Sequence, residues 1–151
     1  MAGARIELQY VDAGVQDELK RLLARLEDPQ PALAEIGQYG VESTRERIES
    51  QNADNPIAAW EPLTERYLKS KRKREHHPDE ILVLYGFLVS TFAWQATKDT
   101  VEWGSNQVYA AAQQFGRPEI NLPARPFLGV TAADKQEILE IFQAWLSEAA
   151  P

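Results

Sequence analysis

The chain has no cysteine and only two histidines, which removes much of the chemistry that enzymes and metal proteins use. Without cysteine there is no disulfide, no thiol nucleophile and no cysteine-ligated zinc, and this composition fits folding in a cytoplasm. His76 and His77 are adjacent, so on a helix they would diverge by about 100° and could not face one ion. We interpret them as exposed loop residues and predict no metal and no cofactor.

Catalytic motifs and long apolar runs are missing as well. Gly86 and Ser90 do not form a nucleophile elbow, and there is no glycine-rich phosphate loop. No apolar run approaches the roughly 18–20 residues that span a bilayer, and the first residues lack a signal-peptide core. We therefore predict one domain over residues 1–151 that is not an enzyme and does not contact a membrane.

The charge is acidic but unevenly distributed. The net charge is −7, yet residues 66–74 hold six basic residues; without them ten basic residues face 23 acidic ones, a net charge of −13. This basic segment either contacts DNA or an acidic partner, or it is a mobile solvated loop. Its cations are Arg66, Lys69, Lys71, Arg72, Lys73 and Arg74.

Periodicity in the first half predicts a strand and two helices. Residues 5–11 alternate as a half-buried strand that ends at Asp12-Ala13-Gly14, and helices fit residues 15–27 and 31–51. In the second helix Gly37 and Gly40 allow a close approach, either to a partner chain or to the protein's own sheet or first helix.

A loop should follow over residues 51–62, in which Trp60 either anchors the loop to the core or serves an interface. A short helix from Pro62 would turn Leu63, Tyr67 and Ser70 inward.

The second half predicts a hairpin and two further helices. Strands at 90–97 and 100–104 would pair Trp94 with Trp103 around Lys98-Asp99. A short apolar helix at 108–115 ends at Gly116, and residues 117–127 should be extended because they hold three prolines. A last helix starts after Thr131, with a capping-box-like Asp134. Its predicted buried face is Ile138, Leu139, Ile141, Phe142, Trp145 and Leu146.

Several pieces of the chain, in order, resemble the bacteriophage virion morphogenesis (tail completion) family of tailed phages and Mu-like prophages. They are ESTRERIESQ, Trp60 followed by PLTERYLKSK, ILVLYGFLVSTF, VEWGSNQVYAAAQQFG and LPARPFLGVTAADKQEI. The combination of YAAAQQFG with LPARPFLG is the most specific. Tyr85, which we place at the head of a strand, departs from the small hydroxyl residue that the family more often has before the glycine.

The resemblance implies an α+β fold: an antiparallel β-sheet packed against two or three α-helices, with an extended Pro-rich arm. It also implies a structural protein of the tail terminator or neck, made in the host cytoplasm and retained in the virion. Expected partners are further copies in a ring, with a hexamer among the sizes considered, and neck, connector and tail-tube proteins. Genomic DNA in the channel would be a non-specific contact.

On this view residues 122–129 form the arm, which packs on its own sheet or on a neighbour. Phe127, between Pro126 and Leu128, is the predicted anchor because an aromatic ring is costly to leave in water, and Arg125 is predicted to pair with a carboxylate. The alternative hypothesis is a small DNA-binding or regulatory module that uses the basic segment.

Overall fold

The computed structural model describes residues 13–74, 77 and 79–148, and it confirms the α+β fold. The predicted strand at 5–11 lies outside these residues. Ala13 and Gly14, predicted to end that strand before a helix from residue 15, are already helical. The elements are α1 (Ala13–Glu27), α2 (Gln30–Glu49), α3 (Glu65–Lys73), α4 (Phe87–Ser90), β1 (Phe92–Ala96), β2 (Val101–Ser105), α5 (Ala110–Phe115), a 3₁₀ turn (Pro118–Ile120) and α6 (Ala132–Ser147).

Helix α2 is the central element, and it packs on the hairpin on one side and on α6 on another. The hairpin is antiparallel with the predicted register, Trp94 opposite Trp103. A Cβ added to Gly40 would lie 2.3 Å from the Trp103 ring, and one on Gly37 would lie 2.9 Å from the Trp94 ring. The two glycines therefore serve close packing on the protein's own sheet.

The hairpin starts later than predicted, because residues before it form helix α4. The Ser90 amide donates to the Gly86 carbonyl, and the Thr91 hydroxyl donates to the Phe87 carbonyl at 2.6 Å. These local hydrogen bonds compete with strand pairing, so β1 begins at Phe92. Tyr85 consequently precedes a helix, and the prediction that it leads a strand is wrong.

The core lies where α2, the hairpin and the arm meet. Trp60 donates from Nε1 to the Pro126 carbonyl at 2.8 Å and packs against this core, which confirms its role as a loop anchor. The buried members of the cluster are Val41, Ile48, Val83, Leu88, Phe92, Ala110 and Phe127.

Two predicted apolar faces are only partly buried. Helix α5 ends at Gly116 as predicted, with φ 75°, but it begins at Ala110; Val108 and Phe115 are 98% and 78% exposed. Helix α6 has the predicted capping box and buries Trp145, whereas Leu139 is exposed. The pattern identified the helices but overestimated how much of each face the chain itself covers.

Residues 117–127 are not extended throughout. The 3₁₀ turn is closed by a bridge between Arg117 and Leu122, and Asn121 is left-handed with φ 55°. The arm proper starts only after this turn. In the part of the chain that the structure describes, no helix is both long and apolar enough to cross a membrane.

Candidate interaction surfaces

The arm, residues 122–129, is held by its own chain. Phe127 is fully buried, with its ring centroid 5.8 Å from that of Phe92. The Gln114 side-chain oxygen accepts from the amides of Phe127 and Leu128 at 3.0 Å, and its nitrogen donates to the Leu128 carbonyl at 2.9 Å. Phe127 is thus an anchor within the chain, and Gln114 satisfies the backbone groups that an irregular arm leaves unpaired.

Arg125 is buried, but its partners differ from those predicted. Its Nε donates to the Glu61 carbonyl at 2.8 Å and its Nη2 to the Pro62 carbonyl at 3.3 Å. Burial lowers the pKa of the Arg125 guanidinium. The predicted carboxylate partner is wrong: the guanidinium fastens the arm to the loop before α3 through backbone oxygens.

A buried ion pair, which the sequence reasoning missed, joins α2 to α6. Arg47 Nη2 lies 3.2 Å from Asp134 Oδ2, and both side chains are almost fully buried. Arg47 also donates from Nε to the Asn55 carbonyl at 2.8 Å and from Nη1 to the Phe127 carbonyl at 2.5 Å. One guanidinium therefore ties together α2, the following loop, the arm and α6.

Asp134 accepts several further hydrogen bonds. Its Oδ1 accepts from Tyr39, Ser43 and Asn55 at 2.6–2.8 Å, and its Oδ2 accepts from the Thr131 amide at 2.8 Å. Burial by itself would raise the pKa of Asp134, but the hydrogen bonds, first that from the Thr131 backbone, outweigh it and lower the pKa to about 2.

The same contacts affect the groups around Asp134. Burial and the hydrogen bond to Asp134 raise the pKa of Tyr39 to about 12, and burial lowers the pKa of Arg47. We call these residues the clasp; they are Tyr39, Ser43, Arg47, Asn55, Thr131 and Asp134. A signal for it was present, because Arg47 falls on the apolar face of α2 next to Ile48 and three residues after Thr44.

The basic segment is mostly helix α3, capped by Thr64, whose hydroxyl accepts from the Tyr67 amide at 3.3 Å. Lys71 is 2% exposed, and its Nζ donates to the carbonyls of Glu80 and Val83. Burial lowers the pKa of Lys71. The ammonium of Lys71 is thus held by its own chain, so the prediction that it contacts DNA or a partner directly is wrong; Lys71 contributes only its charge to the groove described below, which it lines.

The other five cations of the segment are exposed. Arg72 pairs with Asp79 at 3.0 Å, and the remaining four are Arg66, Lys69, Lys73 and Arg74. Of the predicted inward residues, Leu63 and Ser70 are partly buried, whereas Tyr67 is 41% exposed. Among the two histidines, His77 is exposed, with Nδ1 3.3 Å from Glu80 Oε1, and His76 lies outside the described residues.

Beside α3 lies an open apolar groove of about 650 Å³. Its walls come from α3, from α4 and the residues before it, from Tyr109 and Gln113, and from the start of the arm. Four of the aromatic rings that line it are exposed, and those of Tyr85 and Phe87 lie in tilted contact with centroids 5.9 Å apart. Lys71 and Arg125 both line it, and none of its described lining residues is acidic.

A second apolar surface lies on α1. Val15, Leu19, Leu23 and Leu26 follow helical spacing and are 41–60% exposed; we call them the leucine face. Near its C-terminal end α1 contacts the end of α6 through Arg25, which lies over the Trp145 ring at 5.4 Å and donates to the Trp145 carbonyl. The protein thus presents two large apolar surfaces that its described residues do not cover.

Comparison with known proteins agrees with the resemblance seen in the sequence. The chain is 29% identical over 114 residues to the "Putative capsid assembly protein G" of Escherichia phage Mu, a match that covers 71% of this chain and 72% of that protein. No solved structure matches. The model of the phage virion morphogenesis family matches residues 11–147. The chain therefore belongs to the phage virion morphogenesis family, and its role is in assembly of the phage virion.

Proposed function

We propose that the protein is a structural, non-enzymatic component that completes the tail or the head–tail junction, as a tail terminator or neck ring. The observation that carries this proposal is the pair of exposed apolar surfaces, the groove and the leucine face. Apolar patches of this kind mark protein–protein contacts in proteins that otherwise fold alone. It would be made in the host cytoplasm and remain in the virion.

The polar interior fits a scaffold better than a catalyst. The Asp134 oxygens accept hydrogen bonds from side chains of α2, from Asn55 in the loop after α2 and from the Thr131 amide. The acceptor sites of this carboxylate are therefore used within the chain. Three buried cations likewise donate most of their hydrogen bonds to backbone carbonyls: Arg47, Arg125 and Lys71. The buried charges fix the relative positions of helices, loop and arm.

Two lines of support converge on the head–tail junction. The name of the Mu relative refers to capsid assembly, and the family resemblance implies the tail or neck. The junction is where capsid and tail meet, so a protein there would serve both. Identical chains joined head to tail close into a ring when the rotation between them permits it.

Deletion of the gene from an inducible phage, followed by electron microscopy of the lysate, tests the proposal. We expect filled heads separate from tails, or tails of uncontrolled length, and rescue by the gene supplied in trans. Empty or malformed heads would place the protein in capsid building instead. Normal infectious particles would contradict a virion role altogether.

A second candidate function is contact with DNA through the exposed cations of α3. Its support is the concentration of five exposed cations in and directly after one helix of an acidic chain. Neutralising Arg66, Lys69 and Lys73 together should then lower the DNA affinity of the purified chain and flatten its salt dependence. Absence of any DNA shift for the wild-type chain at low salt would eliminate this candidate for the isolated protein.

A further inference from the structure

The groove and the leucine face are separate surfaces. The described residues that line the groove fall between Leu63 and Arg125, whereas the leucine face lies on α1, which contacts the end of α6 through Arg25. One is a concave surface with exposed rings at its edge, and the other is a convex helix face. A helix that lays its apolar side into an apolar groove is a recurrent mode of recognition between proteins.

Charge favours the chain's own acidic surface as the occupant of the groove. Lys71 and Arg125 line it, acidic residues are missing from its described lining, and helix α3, which forms one of its walls, is basic overall. The rest of the chain carries a net charge of −13 once the basic segment is set aside. A second copy therefore offers the opposite charge that this groove lacks.

Helix α1 combines that charge with a fitting shape. Arg25 is engaged by Trp145 and Glu148 of its own chain. The remaining charges of α1 and the residue after it are two basic and four acidic, a net charge of −2: Lys20 and Arg21 against Asp17, Glu18, Glu27 and Asp28. The leucine face is thus flanked by acidic charge, and the groove by basic charge.

We propose that the leucine face of α1 in one copy docks into the groove beside α3 of the next copy. The two surfaces differ, so the contact is heterologous and each copy keeps one free surface for a further copy. Residues Leu19, Leu23 and Leu26 enter the groove, and Phe87 and Tyr109 contact them at its edge. This inference rests on the proposed ring and names the surfaces that would build it.

Because the chain has no cysteine, an introduced cysteine is its only thiol, and the contact can be tested by thiol cross-linking. Two single variants, Leu23→Cys and Phe87→Cys, change residues that are 60% and 59% exposed, so both should fold. We expect a short bis-maleimide to join the two variants into a mixed dimer when they are mixed. Each variant alone should give no cross-linked dimer, because each presents only one of the two contact surfaces to the reagent.

The double variant and a matched control sharpen the test. A chain that carries both cysteines should give a ladder of cross-linked oligomers that stops at the ring size. Lys98→Cys at the exposed hairpin turn, mixed with Phe87→Cys, should give no mixed dimer. Dimers of Phe87→Cys with itself, or a cross-link within a single double-variant chain, would overturn the proposed contact.

Failure of this contact can be separated from failure of the proposed function. Leu23→Glu and Phe87→Glu place a charge on each surface, and their ability to rescue the gene deletion is then measured. If both fail to rescue although the mixed dimer never forms, the surfaces bind a different virion protein; the contact between copies is then wrong while the virion role stands. Full rescue by both would overturn the docking proposal.

Discussion

The clasp and the two apolar surfaces differ in what they bury: the clasp buries charged side chains, whereas the two surfaces leave apolar side chains exposed. In the clasp, a charged pair is taken out of water and surrounded by donors and acceptors of the same chain. On α1 and around the groove, leucines and aromatic rings stay in contact with solvent although helical spacing would allow them to be buried.

This difference indicates that the clasp stabilises the fold, whereas the exposed apolar surfaces serve assembly. A buried ion pair is costly unless every partner is present, so the clasp fixes the geometry of α2, α6 and the arm. Exposed apolar residues contribute little to the isolated fold, yet they gain free energy when another protein covers them. Substitutions in the clasp should therefore change folding, whereas substitutions on the surfaces should change assembly.

The largest effect should come from Asp134→Ala. It leaves Arg47 buried without its carboxylate and removes the Asp134 side chain from the capping box of α6, so we expect a loss of about 3–5 kcal/mol in the free energy of unfolding. Urea unfolding followed by tryptophan fluorescence measures it. Glu140→Ala on the same helix is the control; it loses only an exposed hydrogen bond to Gln136 and should stay within about 0.5 kcal/mol. Equal losses of unfolding free energy for the two variants would contradict the proposed role of the clasp in stability.

Acid should weaken the clasp by a smaller amount. The folded pKa of Asp134 is about 2, below the ordinary unfolded value of about 3.9, so its stabilisation is present above pH 4 and is lost as pH falls towards 2. We expect about 2–3 kcal/mol from this residue. The measurement is the free energy of unfolding at pH 5 and pH 2 for the wild type and Asp134→Asn. The same loss in both chains would assign the acid sensitivity to other groups.

The smallest effect compares two lysines of α3. Lys71→Ala leaves the carbonyls of Glu80 and Val83 without their donor, and we expect a loss of about 1–3 kcal/mol. Lys69→Ala, two residues earlier and exposed, should change stability by less than about 0.5 kcal/mol. Thermal unfolding of both variants side by side is sufficient. A similar Tm for the two would show that the buried lysine does not fasten α3 to residues 80–83.

Local signals predicted much of the fold. The pairing of Trp94 with Trp103 follows from a two-residue turn and strand alternation, and the structure has that register. The capping box of Thr131 and Asp134 is a contact between residues three apart, so it too can be predicted from the sequence. Phe127 was identified as an anchor because a large ring between two other apolar residues has a strong tendency to be buried.

The errors about buried cations occurred where residues from another part of the chain supply the partner. Arg125 meets carbonyls about 64 residues away, and Arg47 meets Asp134 across 87 residues. Lys71 lies in the most basic stretch of the chain, yet residues 80–83 bury it. Composition describes such a stretch as a uniform charged face and does not show which of its cations has a partner.

The sequence by itself determined the helices other than α4, the register of the hairpin, the acidic charge with its one basic segment, and the family. These depend on contacts between near neighbours or on the order of motifs. Only the tertiary structure decided that Arg47, Lys71 and Arg125 are buried, and that α1 and the groove remain exposed. The reason is physical: burial of a side chain depends on what lies opposite it in space, and periodicity reports only which side of a helix it occupies.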